Sequence, residues 1–343
     1  MAARAINVSV GIIAAILLLV AARLASGVLA PLAFALFIIA LVWPLHQRLQ
    51  SWLPKLLALA LTMLVTVSFG LVFAVVIVWG VGNVWRALLA DFSQYQAAYD
   101  GAIGWLAAHG ISVQGLWAEH FDTARMLRIA QQVGGHLNTS LVFWIVTLTY
   151  VILGLLEVEE MRGRIALLGN REASRILLTA SRTTAALFRR YMVVRTLMSV
   201  LTGLLVWAFA AIVGLPFAVE WGVIAFALNY IPFIGPFIAT LLPTTLAMFQ
   251  FDTWQAVIVV FICLNVIQFV VGSYIEPQVA GNVLSISPPL VLFAIFLWTY
   301  LWGFPGTFIG VPITIAMLTF CSEHPRSRWV SDLLGKRSTG QVA

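Results

Sequence analysis

The chain has 343 residues, 62% of them hydrophobic and 9% charged. A soluble domain carries about a quarter charged residues, so this composition excludes a water-facing globular surface and describes an integral membrane protein. The formal net charge of +6 would point to nucleic acid in a soluble chain, but the arginines here lie between apolar runs, where topology accounts for them, and no nucleic acid is expected.

Residues 6–22, 28–43 and 56–79 are apolar runs near the ~20 residues a bilayer requires, and they read as three spans of an N-terminal region, 1–80. Arg4, together with His46, Arg48 and Lys55 in the second loop, places the N-terminus in the cytoplasm, and Arg23 snorkels on the outer side. Residues 81–138 are a polar insertion. Within it Trp85, Leu88, Phe92, Tyr95, Tyr99, Ile103 and Leu106 recur at helical steps, and residues 117–133 predict a second helix ended by Gly134-Gly135. The insertion therefore reads as a small helical extracytoplasmic cap.

Region 139–190 holds a fourth span, 141–156, and then Arg162, Arg164, Arg171, Arg175, Arg182, Arg189 and Arg190, the strongest cytoplasmic marker in the chain. Ile176, Leu177, Ala180, Thr184, Leu187 and Phe188 form an apolar stripe among those arginines. The stripe fits either a helix lying along the inner membrane face or a solvated helix packed on its neighbours.

The segment 191–321 changes pattern to span (195–213), broken run (221–250), span (254–275) and broken run (288–321). The tail 322–343, with Arg326, Arg328, Lys336 and Arg337, is expected in the cytoplasm. The first break is Asn229-Tyr230-Ile231-Pro232-Phe233-Ile234-Gly235-Pro236, and the second is Gly303-Phe304-Pro305-Gly306. Pro232, Pro236 and Pro305 lack the amide donor, and a helix interrupted in lipid must satisfy its freed backbone groups from protein or a wet cavity. Interrupted apolar segments at matching positions are the sequence signature of a transporter binding site.

Each broken run is a re-entrant hairpin or one kinked crossing. Hairpins are favoured; they would bring Arg195 and Glu276 to the same side, where the two could pair, whereas crossings would separate them. Half-helix N-termini near Pro236 and Pro305 would then offer free backbone donors.

Arg195, Ser199 and Thr202 share one helical face, as do Asn265, Gln268, Gly272 and Glu276. With Asn229 at the first break they line either a polar pathway or a set of interhelical hydrogen bonds. Catalytic signatures such as GxSxG, HExxH or GxxxxGK are absent, so neither an enzyme nor a cofactor is expected. The 5 histidines are scattered over loops, and Cys263 and Cys321 lie in apolar runs as packing residues, so no metal site is expected.

Several short motifs follow one another in a fixed order: Thr202-Gly203-Leu204-Leu205, Gly214-Leu215-Pro216-Phe217, Trp221-Gly222, Asn229-Tyr230-Ile231-Pro232, Ile234-Gly235, Ile275-Glu276-Pro277, Gly281, Ser287-Pro288, Trp302-Gly303, Pro305-Gly306 and Val311-Pro312. In this order they resemble the AI-2E family of bacterial inner-membrane transporters. The resemblance implies an all-α polytopic fold of about eight membrane segments, each of roughly bilayer length or a broken hairpin, and a homo-oligomer in the inner membrane. The expected function is secondary transport or export of a small polar or amphiphilic metabolite, with an autoinducer-2-like signal as one form. A monovalent-cation (Na+/Li+)/proton antiporter, with Glu276 as its titratable group, and a non-transport membrane scaffold are the alternatives.

Overall fold

The computed structural model describes residues 2–90, 123–251, 253–280 and 286–335. The described residues form α1 (Ala2–Leu24), α2 (Ser26–Gln50), α3 (Lys55–Ala90), α4 (Thr123–Ala166), α5 (Arg171–Val213), α6 (Ala218–Leu228) and α7 (Ile234–Gln250). They continue with α8 (Trp254–Phe269), a π-helical turn (Val270–Ile275), α9 (Glu276–Ala280), α10 (Pro288–Glu323) and α11 (Arg328–Leu334). Six helical stretches are long and apolar enough to cross a membrane, and α1, α6 and α7 are shorter apolar helices. The protein is thus an all-α polytopic membrane protein.

The chain divides into two compact units. One comprises Met1–Ser68, Phe143–Val194 and Ala280–Ala343; the other comprises Phe69–Val142 and Arg195–Val279.

In the first unit Ala35, Ile39 and Trp43 of α2, Leu59 of α3, and Val151 and Leu155 of α4 form one apolar cluster. Beside it His46 is buried, with its Nδ1 3.1 Å from Thr62 Oγ1. The Thr62 hydroxyl donates to the Ala58 carbonyl, so the imidazole supplies the proton of the His46–Thr62 bond. The stripe of α5 is also buried here at Ala180, Thr184 and Phe188, with Phe188 edge-on to Phe37 at 5.2 Å. The stripe is part of α5, which runs unbroken from Arg171 to Val213, and at Phe188 it packs on α2.

The second broken run doubles back within this unit. Gly303 takes φ 64°, ψ −142°, a region open in practice to glycine alone. Trp298 Nε1 donates to Thr314 Oγ1 at 3.3 Å, and the hydroxyls of Thr299 and Thr307 lie 2.8 Å apart. A straight helix would hold residues 298 and 314 about 24 Å apart, so α10 is a hairpin of two limbs, 288–302 and 304–323. Its tip meets α1, where Trp302 Nε1 donates to the Ala22 carbonyl at 3.0 Å and Arg23 stacks 4.1 Å over the Tyr300 ring.

In the second unit α6 and α7 form the other hairpin. Trp221, Ile224 and Ala225 of α6 share a core with Ala239, Leu246 and Ala247 of α7, Val206 and Ala210 of α5, and Val260 and Leu264 of α8. Gln250, at the far end of α7, donates to the Gly214 carbonyl at 2.8 Å, just before α6 begins. A single kinked crossing would hold those residues at opposite membrane faces. Cysteines introduced at Val219 and Gln250, in a chain lacking Cys263 and Cys321, should therefore react with an impermeant thiol reagent from the same side. Labelling from opposite sides would contradict the hairpin.

Two boundaries differ from the sequence expectation. Gly134-Gly135 lies inside α4 and does not end it. Each glycine costs a helix about 1 kcal/mol relative to alanine, but elongating an existing helix is easier than nucleating one, and α4 runs about three turns before the pair and more than twice that after it. Trp85 and Leu88 extend α3, while Phe92, Tyr95, Tyr99, Ile103, Leu106 and Trp117 lie outside the described residues, as does most of the expected cap.

Candidate functional site

The candidate residues of the second unit gather along α5. Arg195, 6% exposed as a residue, extends Nη1 to the Glu276 carboxylate at 3.2 Å, and the two side chains are 8% and 14% exposed. The pairing expected of hairpins is therefore present. One turn further along α5, the Ser199 hydroxyl accepts a hydrogen bond from Asn229 Nδ2 at 3.3 Å, and Tyr230 Oη bonds Thr196 Oγ1 at 3.0 Å. The tip of the α6–α7 hairpin thus rests on α5 beside the ion pair. Phe73 and Phe226 hold Tyr230 there, the three rings lying edge-on with centroids 5.5–5.8 Å apart. With 11 residues, α6 carries this tip about 16 Å from the level of its first residue, roughly half the ~30 Å thickness of a hydrocarbon layer.

The tip uses three of its amides within its own backbone. Ile234 N–H bonds the Pro232 carbonyl at 2.7 Å, Gly235 N–H that of Ile231 at 3.0 Å, and Phe237 N–H that of Phe233 at 3.4 Å. Pro236 has no donor to offer. The expectation of free amides at the start of α7 therefore fails, because the turn uses the donors that the broken helix would otherwise expose. The turn that does so is unusual: Phe233 sits at φ 63°, ψ −53°, the centre of a γ-turn of positive φ, which is a strained conformation for any residue with a side chain.

The span α8 to α9 contributes less uniformly than its spacing implies. Asn265 is exposed and donates to the Phe261 carbonyl of its own helix at 2.8 Å. Gly272 has open space around it, Gln268 is half-buried, and Glu276 reaches Arg195. The π-helical turn between Gln268 and Glu276 interrupts the shared face. Pro277 explains it: the ring would strike the Ser273 carbonyl of a regular helix, and the wider turn, with Glu276 N–H bonded to the Val271 carbonyl, avoids the clash.

The ion pair and the Gln250–Gly214 contact fix α5 and α8 as antiparallel. Seven residues beyond Arg195 lies Thr202, and eight before Glu276 lies Gln268, so the two stand at about the same height, roughly 10 Å from the ion pair. Each carries a buried polar atom, Thr202 Oγ1 and Gln268 Nε2, with no hydrogen-bond partner among the described residues. A polar atom deprived of both water and a partner is unfavourable. Ser199 and Thr202 are fully buried. The second unit thus holds a ladder comprising a neutralised ion pair, two satisfied polar contacts, and one level with unused hydrogen-bonding capacity.

Of the remaining candidates, Pro232, Gly235 and Pro236 form the tip just described. Gly303, Pro305 and Gly306 form the tip of the first unit's hairpin, where Thr299 and Thr307 provide the polar contact. Thr196 and the Asn83–Glu220 bond of 3.0 Å near the entry of α6 carry no mark in the sequence, and Tyr230 stands there only as a residue of the break motif. No group of three or more potential metal ligands occurs among the described residues.

Comparison with known proteins adds family information. A family model described as AI-2E family transporter matches residues 12–326. The AI-2 transport protein TqsA of Escherichia coli (strain K12) is 28% identical over 308 residues, covering 88% of this chain and 87% of its own. A chain of Haemophilus influenzae, named as a transport protein, is 25% identical over 338 residues, 95% of each chain. YhhT of Escherichia coli (strain K12), also named as a transport protein, is 33% identical over 124 residues, 36% of this chain and 35% of its own.

Proposed function

Since the chain belongs to the AI-2E transporter family and is a multi-pass membrane transport protein, we propose that it exports a small, uncharged, hydrogen-bonding metabolite by secondary transport. The observation that carries this reading is the ladder on α5. Its charges, Arg195 and Glu276, cancel each other, and its unused capacity at Thr202 and Gln268 is neutral. A solute with hydroxyl or carbonyl groups matches that capacity, and the relative TqsA is named an AI-2 transport protein. In this reading Arg195, Ser199, Thr202, Asn229, Gln268 and Glu276 line the pathway, and Asn265 lies at its edge.

Cation/proton antiport requires a carboxylate that exchanges protons, and the tie of Glu276 to Arg195 favours the metabolite reading over it. The arginines from Arg162 to Arg190, with Arg326 and Arg328, support an inner-membrane orientation with both termini cytoplasmic. The family resemblance supports a homo-oligomer.

The test compares the metabolites released by cells expressing the wild type, Thr202→Val or Gln268→Leu. Valine replaces a buried hydroxyl that lacks a partner, so Thr202→Val should unfold at a higher temperature, by the equivalent of about 1 kcal/mol, while export falls about tenfold. Gln268→Leu should behave alike. Export unchanged in both variants would remove the ladder from the pathway, and lithium tolerance lost only with Glu276→Gln would favour the antiporter.

A further inference from the structure

The first unit carries a second concentration of buried polar groups, which the ladder does not use. Phe188 against Phe37, and Arg189 Nη1 donating to the Ala40 carbonyl at 3.0 Å, pack this part of α5 against α2. Trp43 lies one turn on from Ala40 along α2, and Thr184 one turn back from Phe188 along α5. Trp43 is 6% exposed and Thr184 8%, and neither Trp43 Nε1 nor Thr184 Oγ1 has a hydrogen-bond partner among the described residues.

The Arg162 guanidinium of α4 covers the Trp43 ring at 5.1 Å. It also lies within electrostatic reach of Arg182 and Arg189, which stand seven residues apart on one face of α5. Glu159 acts on Arg162 as well, against the fields of Arg182 and Arg189. Arginines whose fields overlap repel one another, and two buried donors lack acceptors; a single tetrahedral anion answers both. Trp43 ends the apolar run of α2, so the group lies where hydrocarbon gives way to headgroups.

We propose that Arg162, Arg182 and Arg189 with Trp43 Nε1–H and Thr184 Oγ1–H form a phosphate-binding site. The guanidiniums neutralise the charge, and the two buried donors bind the non-ester oxygens. An anionic phospholipid headgroup and free phosphate share this chemistry, and the position at the membrane boundary suits the lipid.

The test uses the full chain in detergent, with retention of phosphatidylglycerol over phosphatidylcholine read by native mass spectrometry and the melting temperature read with and without inorganic phosphate at matched ionic strength. Arg162→Gln and Arg182→Gln should each lower lipid retention about tenfold, and Trp43→Phe, which keeps the ring and loses the N–H, about fivefold. Arg164→Gln removes an equal charge from an exposed pair with Glu160 and should leave retention intact. Preferential retention of phosphatidylglycerol with this variant pattern supports the site with lipid as its source. A phosphate-induced rise in melting temperature with the same pattern and no lipid preference supports it with soluble phosphate as its source. Absence of both responses, or equal losses in Arg164→Gln, overturns the proposal.

Discussion

Alanine at Gly235 or at Gly306 will leave little correctly folded protein. A Cβ at Gly235 would lie 1.8 Å from the Leu228 carbonyl oxygen, and one at Gly306 1.9 Å from that of Trp298. Both collisions are with backbone of the opposing limb, which cannot swing aside as a long side chain can. Overpacking a fitted interior costs about 1–3 kcal/mol, and contact with main chain falls at or above the upper end. Since each limb is pinned at its tip, the hairpin must either open or move its partner helix. Gly70→Ala is the matched control: it lies within α3 with nothing near enough to meet the methyl, and should be neutral or slightly stabilising. Thermal unfolding and yield of monodisperse protein would measure the contrast. Native-like melting of Gly235→Ala would show that the limbs do not approach as described.

The second large effect concerns Arg195 and Glu276. With both side chains largely excluded from solvent, removing one leaves the other charged and buried, at a cost of about 3–5 kcal/mol. Arg195→Met and Glu276→Met should each lower the melting temperature sharply. The double variant, in which two apolar groups of similar volume face each other, should recover most of that stability, because a buried ion pair is often worth little against a well-packed apolar pair. Export should not recover with it, since the polar ladder then begins on a dry contact. Single variants no less stable than the double would show that the pair is solvated, and full export by the double would show it to be architectural only.

Much of this was legible in the sequence because membrane helices write their breaks plainly. Pro232, Gly235 and Pro236, and Gly303, Pro305 and Gly306, interrupt runs without charge, and the structure folds both into hairpins. The pairing of Arg195 with Glu276 followed from that geometry. Other features were hidden because a local period does not name a distant partner. Tyr230 meets Thr196, and Trp43 lies under Arg162, through helix crossings that no spacing encodes. The π-helical turn was missed for a different reason: Asn265, Gln268, Gly272 and Glu276 fit a 3.6-residue repeat, and Pro277, which breaks it, was read only as part of a motif. At Gly134-Gly135 the weakness of the local signal was real, but the length of the surrounding helix outweighed it.

The two hairpin tips are alike in contact and unlike in energy. Each brings a glycine against the carbonyl of the opposing limb, but the turn at Gly303 uses a backbone state that glycine enters freely, whereas the turn at Phe233 forces a bulky residue into one that costs of order 1–3 kcal/mol. The Phe233 hairpin is therefore a loaded element and the Gly303 hairpin a relaxed one. Opening the tip at Phe233 would release stored strain, whereas opening the tip at Gly303 would release none.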